Sequence, residues 1–275
     1  MGKSNTDLNR RNFLKSGAVA VAAMAAVGAG VGYIKKVKGT DICKQNILRP
    51  PGAIAENEFI FGCIKCGLCV QICPIQAVKL AGINEALSYG TPYIDVREQP
   101  CDFSCDSLQC VETCPTAVLN FKQFEETGGN ALTEYQKVHD VSDPSFNPFK
   151  VQIQAMKEAV KMGMAKVNEK TCLAVQGKGF SGTPRGKDFE GIYRSPDSNE
   201  KKASPLSNKT FNRDVCDLCV TECPIGEKAI VMDKDNGSFK PMVLEGCTGC
   251  GVCVMVCPTE KPSIIVEPLN ENSHV

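Results

Sequence analysis

Cysteine spacing constrains what this chain can fold into more than any other feature of its sequence. Of its 275 residues 17 are cysteines, and most of them stand in short runs that end in Cys-Pro. The first run is Cys63-x2-Cys66-x2-Cys69-x3-Cys73-Pro, and the same spacing recurs from Cys247 to Cys257. Three thiolates two residues apart can surround one inorganic cluster, while the fourth reaches the cluster of a partner unit. These two runs predict [4Fe–4S] ligation by Cys63, Cys66, Cys69, Cys73, Cys247, Cys250, Cys253 and Cys257.

Two further cysteine groups depart from this spacing. One reads Cys101-x3-Cys105-x4-Cys110-x3-Cys114-Pro, and the other shows only Cys216-x2-Cys219-x3-Cys223-Pro, one thiol short. Cys172 supplies the missing ligand better than Cys43, because a β-favouring run ends five residues before Cys172, as one does before Cys101. The second half of the expected ligands is Cys101, Cys105, Cys110, Cys114, Cys172, Cys216, Cys219 and Cys223. Sixteen ligands predict four [4Fe–4S] clusters, with Cys43 left over.

Other uses of the cysteines stay open at this point. Exported chains use disulfides, so sixteen cysteines could form eight bridges, although their grouping in runs makes such pairing awkward. Zinc sites also use Cys-x2-Cys pairs, but repeated triplets before Cys-Pro are not a zinc pattern. Cys172 could also be a buried thiol without a ligand role, because the loop from it to Cys216 is long.

Short apolar runs flank the four cysteine groups and indicate a fourfold repeat. Runs at 59–61, 93–96, 164–167 and 242–244 precede the groups, and runs at 77–80, 117–119, 229–231 and 264–266 follow them. Each unit therefore reads as strand, cysteine loop, short helical turn and strand. We predict an α+β fold of tandem bacterial-ferredoxin-like units, four in number and paired as two pseudo-dimers. Short strands, short helices and much irregular loop make up this fold.

Composition along the chain suggests where these units begin and end. The predicted divisions are a signal or possible membrane anchor at 1–40, ferredoxin units at 41–88 and 89–123, a linker at 124–163, a third unit at 164–235 and a fourth at 236–275. Residues 150–162 of the otherwise polar linker carry a helical apolar stripe and predict an amphipathic helix. The inserted loop 176–213 is rich in Gly, Ser, Pro and Lys, which predicts an excursion without regular structure.

Charge is distributed unevenly between the N-terminus and the rest of the chain. Residues 1–40 hold seven basic residues and one acidic residue, so the remaining residues, with 24 basic and 30 acidic, are net −6. That balance excludes a nucleic-acid binder and predicts partners with basic surfaces. Arg10-Arg11 stands just before the uncharged stretch 16–34, as in a twin-arginine export signal. We expect export in the folded state to the periplasm, and anchoring on the periplasmic face of the inner membrane if the segment is retained.

Few residues other than the cysteines could act in catalysis or hold a cofactor. The chain has two histidines, His139 and His274, no tryptophan and no phosphate-binding loop. These cannot build a catalytic triad or a Rieske centre, so no catalytic residue is predicted. The sequence therefore indicates an electron-transfer protein without substrate chemistry of its own.

Several segments resemble the NapG/MauM family of ferredoxin-type proteins, the quinol dehydrogenase subunits of periplasmic nitrate reductase systems and their methylamine-utilisation relatives. The segments are the twin-arginine signal, Arg49-Pro50-Pro51-Gly52-Ala53, the run from Phe61 to Pro74, Thr171-Cys172-Leu173, Cys216-Asp217-Leu218-Cys219 and Cys247-Thr248-Gly249-Cys250-Gly251. The loop 176–213 is longer than in the family, and the gap between Cys101 and Cys105 is one residue wider.

The resemblance implies a function and a set of partners. Electrons would come from a membrane quinol-oxidising ferredoxin protein of the NapH type and pass to periplasmic nitrate reductase or its cytochrome. The alternative is the iron–sulfur subunit of another periplasmic oxidoreductase, such as a methylamine system. A more distant alternative is a zinc- or disulfide-stabilised structural protein.

The resemblance also implies how the units share their ligands, with the outer units paired and the inner units paired. Cys257 would then join Cys63, Cys66 and Cys69. Cys73 would join Cys247, Cys250 and Cys253. Cys223 would join Cys101, Cys105 and Cys110, and Cys114 would join Cys172, Cys216 and Cys219.

Overall fold

A computed structural model describes residues 47–139, 146–186, 209–235 and 238–269. All of these belong to one compact unit, Asn46–Val275. The expected export signal and Cys43 lie outside the described residues. Among the residues that are described, no helix is both long enough and apolar enough to span a bilayer.

The elements are short, as the sequence predicted. The α-helices of the described residues are α1 (Glu56–Gly62), α2 (Leu68–Ile72), α3 (Gln109–Glu112), α4 (Lys122–Val138), α5 (Pro148–Glu158), α6 (Leu218–Thr221) and α7 (Val252–Met255). Two 3₁₀ helices span Ile83–Ser88 and Gly226–Lys228. The strands are β1 (Val78–Leu80), β2 (Pro92–Ile94), β3 (Gly163–Val167), β4 (Phe180–Gly182), β5 (Phe211–Arg213), β6 (Ile230–Asp235), β7 (Ser238–Val243) and β8 (Ile264–Pro268).

The strands form antiparallel pairs instead of one continuous sheet. In the described residues the pairs are β1 with β2, β3 with β8, β4 with β5, and β6 with β7. The β3–β8 pair runs from Gly163 opposite Pro268 to Val167 opposite Ile264. Inside it in sequence lies the β6–β7 pair, in which Ile230 faces Val243. The strand before the third cysteine group therefore pairs with the strand after the fourth.

The first half of the described chain repeats this nested arrangement in reduced form. Its inner pair is β1–β2, in which Val78 faces Ile94. Its outer pair is a single antiparallel bridge between Ala53 and Leu119. Residues 53–119 and 163–268 thus each close on themselves, which brings consecutive cysteine groups together.

Most of the predicted strands are confirmed, and two predictions need correction. Strands are present at or beside 77–80, 93–96, 164–167, 229–231, 242–244 and 264–266. The run 59–61 is wrong as a strand, since it lies in α1. Glu56 and Glu58 favour a helix start there, and Phe59 is buried while Phe61 is exposed. The run 117–119 contributes only the bridge at Leu119.

The segment after the second cysteine group is more helical than its sequence suggests. The helix predicted at 150–162 is confirmed as α5, which Asn147 caps by accepting a 3.0 Å hydrogen bond from the Phe149 amide. The segment predicted as a polar linker from residue 124 onward begins inside a second helix that was not predicted, α4, which occupies Lys122–Val138. The double glycine Gly128-Gly129 lies within α4, and a Cβ at Gly128 would lie only 3.2 Å from Met156 Cγ. Glycine here permits close packing of α4 on α5.

The loop 176–213 begins and ends in regular structure, contrary to the prediction. Its two ends pair as β4 and β5, with Phe180 opposite Arg213 and Gly182 opposite Phe211. Residues 187–208 lie outside the described part. The hairpin keeps Cys172 and Cys216 near each other, so the length of the loop does not separate them.

Candidate iron–sulfur sites

Set I is a group of four thiols that lines a partly open cavity of about 370 Å³. Its members are Cys63, Cys66, Cys69 and Cys114. The first three belong to the first cysteine group, and the fourth comes from the end of the second. Burial raises the pKa of Cys69 to about 11, with further increases from the charges of Cys63, Cys66 and Cys114. Of the sixteen described cysteines, Cys66 alone is exposed.

Set II is the complementary group in the same half of the chain. Its members are Cys73, Cys101, Cys105 and Cys110, which line a cavity of about 360 Å³. Burial raises the pKa of Cys110, and the charges of Cys105 and Cys73 raise it further. The wide gaps between Cys101, Cys105 and Cys110 therefore do not prevent these thiols from facing one cavity. Sets I and II exchange their fourth thiols, Cys73 and Cys114.

Set III consists of thiols from the third and fourth cysteine groups. Its members are Cys223, Cys247, Cys250 and Cys253. Burial raises the pKa of Cys253 well above its usual value, and the charges of Cys250, Cys247 and Cys223 are among the groups that raise it further. Burial also raises the pKa of Cys250 to about 12. The charges of these thiols act on one another, and the charge of Cys219 also acts on Cys253.

Set IV contains the cysteine that is remote from every run. Its members are Cys172, Cys216, Cys219 and Cys257, which line a cavity of about 380 Å³. Burial raises the pKa of Cys216 to about 11, and among the charges that add to it are those of Cys257 and Cys172. The Ser263 amide donates a 3.2 Å hydrogen bond to Cys257 Sγ, and Thr259 Oγ1 lies 3.1 Å from that sulfur. The structure thus places Cys172 among ligand-like thiols.

The expected pairing of the two outer units with each other, and of the two inner units with each other, is wrong. Consecutive units share instead, because the nested strand pairs close each half of the chain separately. Cys114, Cys73, Cys223 and Cys257 complete sets I, II, III and IV, in that order. Each fourth thiol still reaches the cavity of a partner unit, as the spacing rule requires. The rule does not specify which unit is the partner.

A common loop geometry presents the thiols. The third thiol of every group lies in a one-turn helix, namely α2, α3, α6 or α7. Gly67 and Gly251 directly precede α2 and α7 with left-handed backbone, φ 74° and 88°. Left-handed backbone also occurs two residues after the first thiol in three of the groups, at Lys65, Phe103 and Gly249. These positions curl the chain around each cavity.

The donor chemistry and the surroundings of the thiols fit [4Fe–4S] clusters. The sixteen described cysteines are free thiols, and four soft sulfur donors per site suit iron–sulfur clusters. The thiols line the walls of a cavity, and within the described residues no three His, Cys, Asp or Glu side chains converge as around one metal ion. Thr248 is 1% exposed, and a hydrogen bond from its hydroxyl lowers the pKa of the Cys250 thiol against the larger effect of burial. Cluster sulfur would accept a hydrogen bond from this hydroxyl.

The four sets follow one another in space in the order I, II, III, IV. Cys69 of set I acts on the pKa of Cys110 in set II. The Cys101 amide of set II donates a 3.3 Å hydrogen bond to the Cys250 carbonyl of set III. Cys219 of set IV in turn acts on the pKa of Cys253 in set III. Each contact joins neighbouring sets in this order.

Two residues beside the thiols were not anticipated from the sequence. Thr248 follows Cys247 directly, so its place in a cysteine loop was a usable signal. Arg97 had no such signal, because its partners are distant in sequence. Its guanidinium donates to the carbonyls of Val254 at 2.7 Å, Cys257 at 2.9 Å and Thr259 at 3.0 Å.

The fold and the thiol sets define a ferredoxin-type iron–sulfur protein. In agreement, a 4Fe-4S dicluster domain model matches residues 62–118 and 213–261. A twin-arginine translocation pathway signal model matches residues 7–28, which supports export to the periplasm. No solved structure matches the chain.

Two groups of named ferredoxin-type proteins are similar to this chain over most of its length. The chain is 29% identical to the ferredoxin-type protein NapG of Escherichia coli, over 95% of this chain and 86% of the relative. It is 26% identical to the methylamine utilization ferredoxin-type protein MauM of Methylorubrum extorquens, over 94% and 89%. MauM of Paracoccus denitrificans gives the same identity and shares. The chain is thus similar to the NapG and MauM ferredoxin-type proteins over nearly its whole length, and the dicluster match agrees with that likeness.

Proposed function

We propose that the protein holds four [4Fe–4S] clusters and conducts electrons along them in the periplasm. The ligands would be sets I to IV, arranged as two bacterial-ferredoxin-like pseudo-dimers at 53–119 and 163–268. The observation that carries the proposal is the exchange of fourth thiols between consecutive units, seen in both halves of the chain. Such exchange places two sites side by side within each half.

The residues of the chain would bind the clusters, bury them and set their order along the row. Clusters of this type pass single electrons at potentials that depend on hydrogen bonds, charge and solvent exposure. In the middle of the row Cys250 is buried and Cys101 and Cys253 are half-buried, and the Cys101–Cys250 backbone contact joins its two halves. The order I to IV therefore suits one conducting path with set I and set IV at its ends.

We infer the route of the electrons from the NapG and MauM relatives. We propose that the electrons come from a membrane quinol-oxidising protein of the NapH type and leave towards periplasmic nitrate reductase or its cytochrome. NapG and MauM relatives match nearly the whole chain, and the twin-arginine match supports the compartment. Retention of the uncharged segment 16–34 would hold the protein at the inner membrane.

A methylamine system is the second candidate, because MauM relatives match over similar shares of the chain. Deleting the gene separates the two routes. Loss of periplasmic nitrate reduction with growth on methylamine intact supports the nitrate route. The opposite phenotype supports the methylamine route.

Iron analysis tests the cluster proposal. We expect about 16 iron atoms and as much labile sulfide per chain, with a brown absorbance that bleaches on reduction. Cys172→Ser should remove the paramagnetic resonance signal of one cluster, whereas Cys43→Ser, the matched control, should remove none. A colourless protein loaded with zinc, or a cluster lost only in Cys43→Ser, would contradict the proposal.

A further inference from the structure

Exposed apolar side chains are concentrated around set I. In the described residues thirteen large hydrophobic side chains are exposed, and eight of them lie between residues 61 and 89. Ile64, Leu68 and Leu80 line the mouth of the set I cavity, and they are 64%, 41% and 44% exposed. Exposed apolar patches of this kind mark interaction sites more often than chance.

The same surface carries little charge. Among the described residues that line the set I cavity, Lys65 is the single charged one. Its ammonium lies 5.8 Å from the centre of the Tyr89 ring, which is itself half exposed. We call Ile64, Leu68, Leu80 and Tyr89 the set I face. A partner that binds this face is recognised by apolar contact, which departs from the basic partner surface expected from net charge.

The N-terminal part of the chain leaves the folded unit beside this face. The Leu48 carbonyl accepts a 2.9 Å hydrogen bond from the Ile94 amide. Arg49 donates to Thr91 Oγ1 and to the Pro92 carbonyl, each at 2.8 Å, and Pro92 pairs with Leu80 of the face. The residues that precede 47 include the uncharged stretch 16–34. A membrane-inserted N-terminus would therefore be attached at the edge of the set I face.

We propose that the set I face is the docking surface for an integral membrane redox protein, an inference that rests on the proposed function. Cys66 is exposed within this face, so an electron crossing here needs a redox centre opposite, which lipid alone does not offer. The apolar side chains exclude water from the contact, and the described chain begins beside this face, so a membrane-inserted N-terminus would be joined to the molecule there. Set I is then the end of the row at which electrons enter.

The test uses full-length holoprotein and membrane vesicles from the native host, reduced with duroquinol. Ile64→Gln combined with Leu80→Gln should slow reduction of the protein by the vesicles about tenfold. The control, Val138→Gln combined with Phe149→Gln, changes side chains that are equally exposed but lie on α4 and α5, so it should match the parent. Dithionite should reduce all three proteins to the same extent, which confirms that the clusters are intact.

Three outcomes contradict the inference, and they differ in meaning. Equal rates for the face variant and the parent show that docking occurs elsewhere, while the proposed function stands. A parent that the vesicles do not reduce contradicts the proposed function and the docking face with it. If the face variant also binds less well than the parent to protein-free liposomes of the same lipids, and by the same factor, the face binds lipid and not a redox protein.

Discussion

Gly67 and Gly251 occupy equivalent places in two cysteine loops but have different surroundings. Each follows the second thiol of its run and begins a one-turn helix with left-handed backbone. A Cβ at Gly67 would meet nothing within 4 Å, whereas a Cβ at Gly251 would overlap the Val96 side chain. Gly251 is therefore required for backbone conformation and also for the contact between the two halves of the chain.

Alanine substitution should separate these two requirements. Gly67→Ala should cost about 1 kcal/mol, the strain of a left-handed alanine. Gly251→Ala adds overlap with Val96 and should cost about 2–5 kcal/mol, with loss of iron from set III. Thermal unfolding of the two holoproteins at one heating rate, together with iron content, measures the difference. Equal losses would show that Val96 moves aside freely.

Thr248 offers a test of what sets the reduction potential of a cluster held by set III. Its buried hydroxyl lies beside the Cys250 thiol, whose pKa it lowers. A hydrogen bond to cluster sulfur stabilises the more negative, reduced state, so it raises the reduction potential. Thr248→Val keeps the shape, and it should lower one midpoint by on the order of tens of millivolts. A redox titration followed by paramagnetic resonance reports this, and Thr221→Val, an exposed threonine on α6, serves as control.

Residue spacing was sufficient to find the thiols but not to pair them. The runs around Cys63 and Cys247 are local signals, because loops of two and three residues leave few ways to surround a cluster. Cys172 was also found locally, from the strand before it. Which unit receives a fourth thiol depends on strand pairing between segments up to about a hundred residues apart, and the paired strands have no distinguishing sequence pattern.

At the scale of elements, the strands were predictable and α4 was not. Short β-branched runs beside cysteine loops identified β1, β3, β6, β7 and β8. The helix α4 contains two adjacent glycines, which disfavour helix, and the close packing of Gly128 on α5 is visible only in three dimensions. The run 59–61, which lies in α1, was wrongly predicted as a strand because three apolar residues alone do not distinguish strand from helix.

Arg97 joins the two halves at the end of α7. It is half-buried and donates to the carbonyls of Val254, Cys257 and Thr259, and its own carbonyl accepts from Arg185. Arg97→Gln leaves these carbonyls short of donors and should cost about 2 kcal/mol, or roughly 4–8 °C in Tm. Lys166→Gln is the control, because its exposed pair with Glu267 contributes about 0.5 kcal/mol or less. Equal shifts in thermal unfolding would mean that Arg97 does not join the halves.

For the whole molecule, the thiols are part of the hydrophobic core. Cys69, Cys216 and Cys250 are buried within the larger cluster of core residues, and Cys247 and Cys257 within the smaller one. Set III lies where the halves meet, through the Cys101–Cys250 backbone contact, whereas set I lies at one end of the row and is partly exposed. Loss of a cluster should therefore destabilise the fold most in the middle of the row of sets, because metal ligation and folding are coupled.

Serine substitutions at the end and in the middle test this coupling. Cys66→Ser should remove the set I cluster alone and leave about 12 iron atoms in a folded protein. Cys250→Ser, in the middle, should reduce iron well below that number and expand the molecule, since a missing ligand there separates the two halves. Iron content and hydrodynamic radius of the anaerobically purified proteins distinguish the two. If both variants stay compact and lose one cluster each, the sites fold independently and the core does not depend on the clusters at its centre.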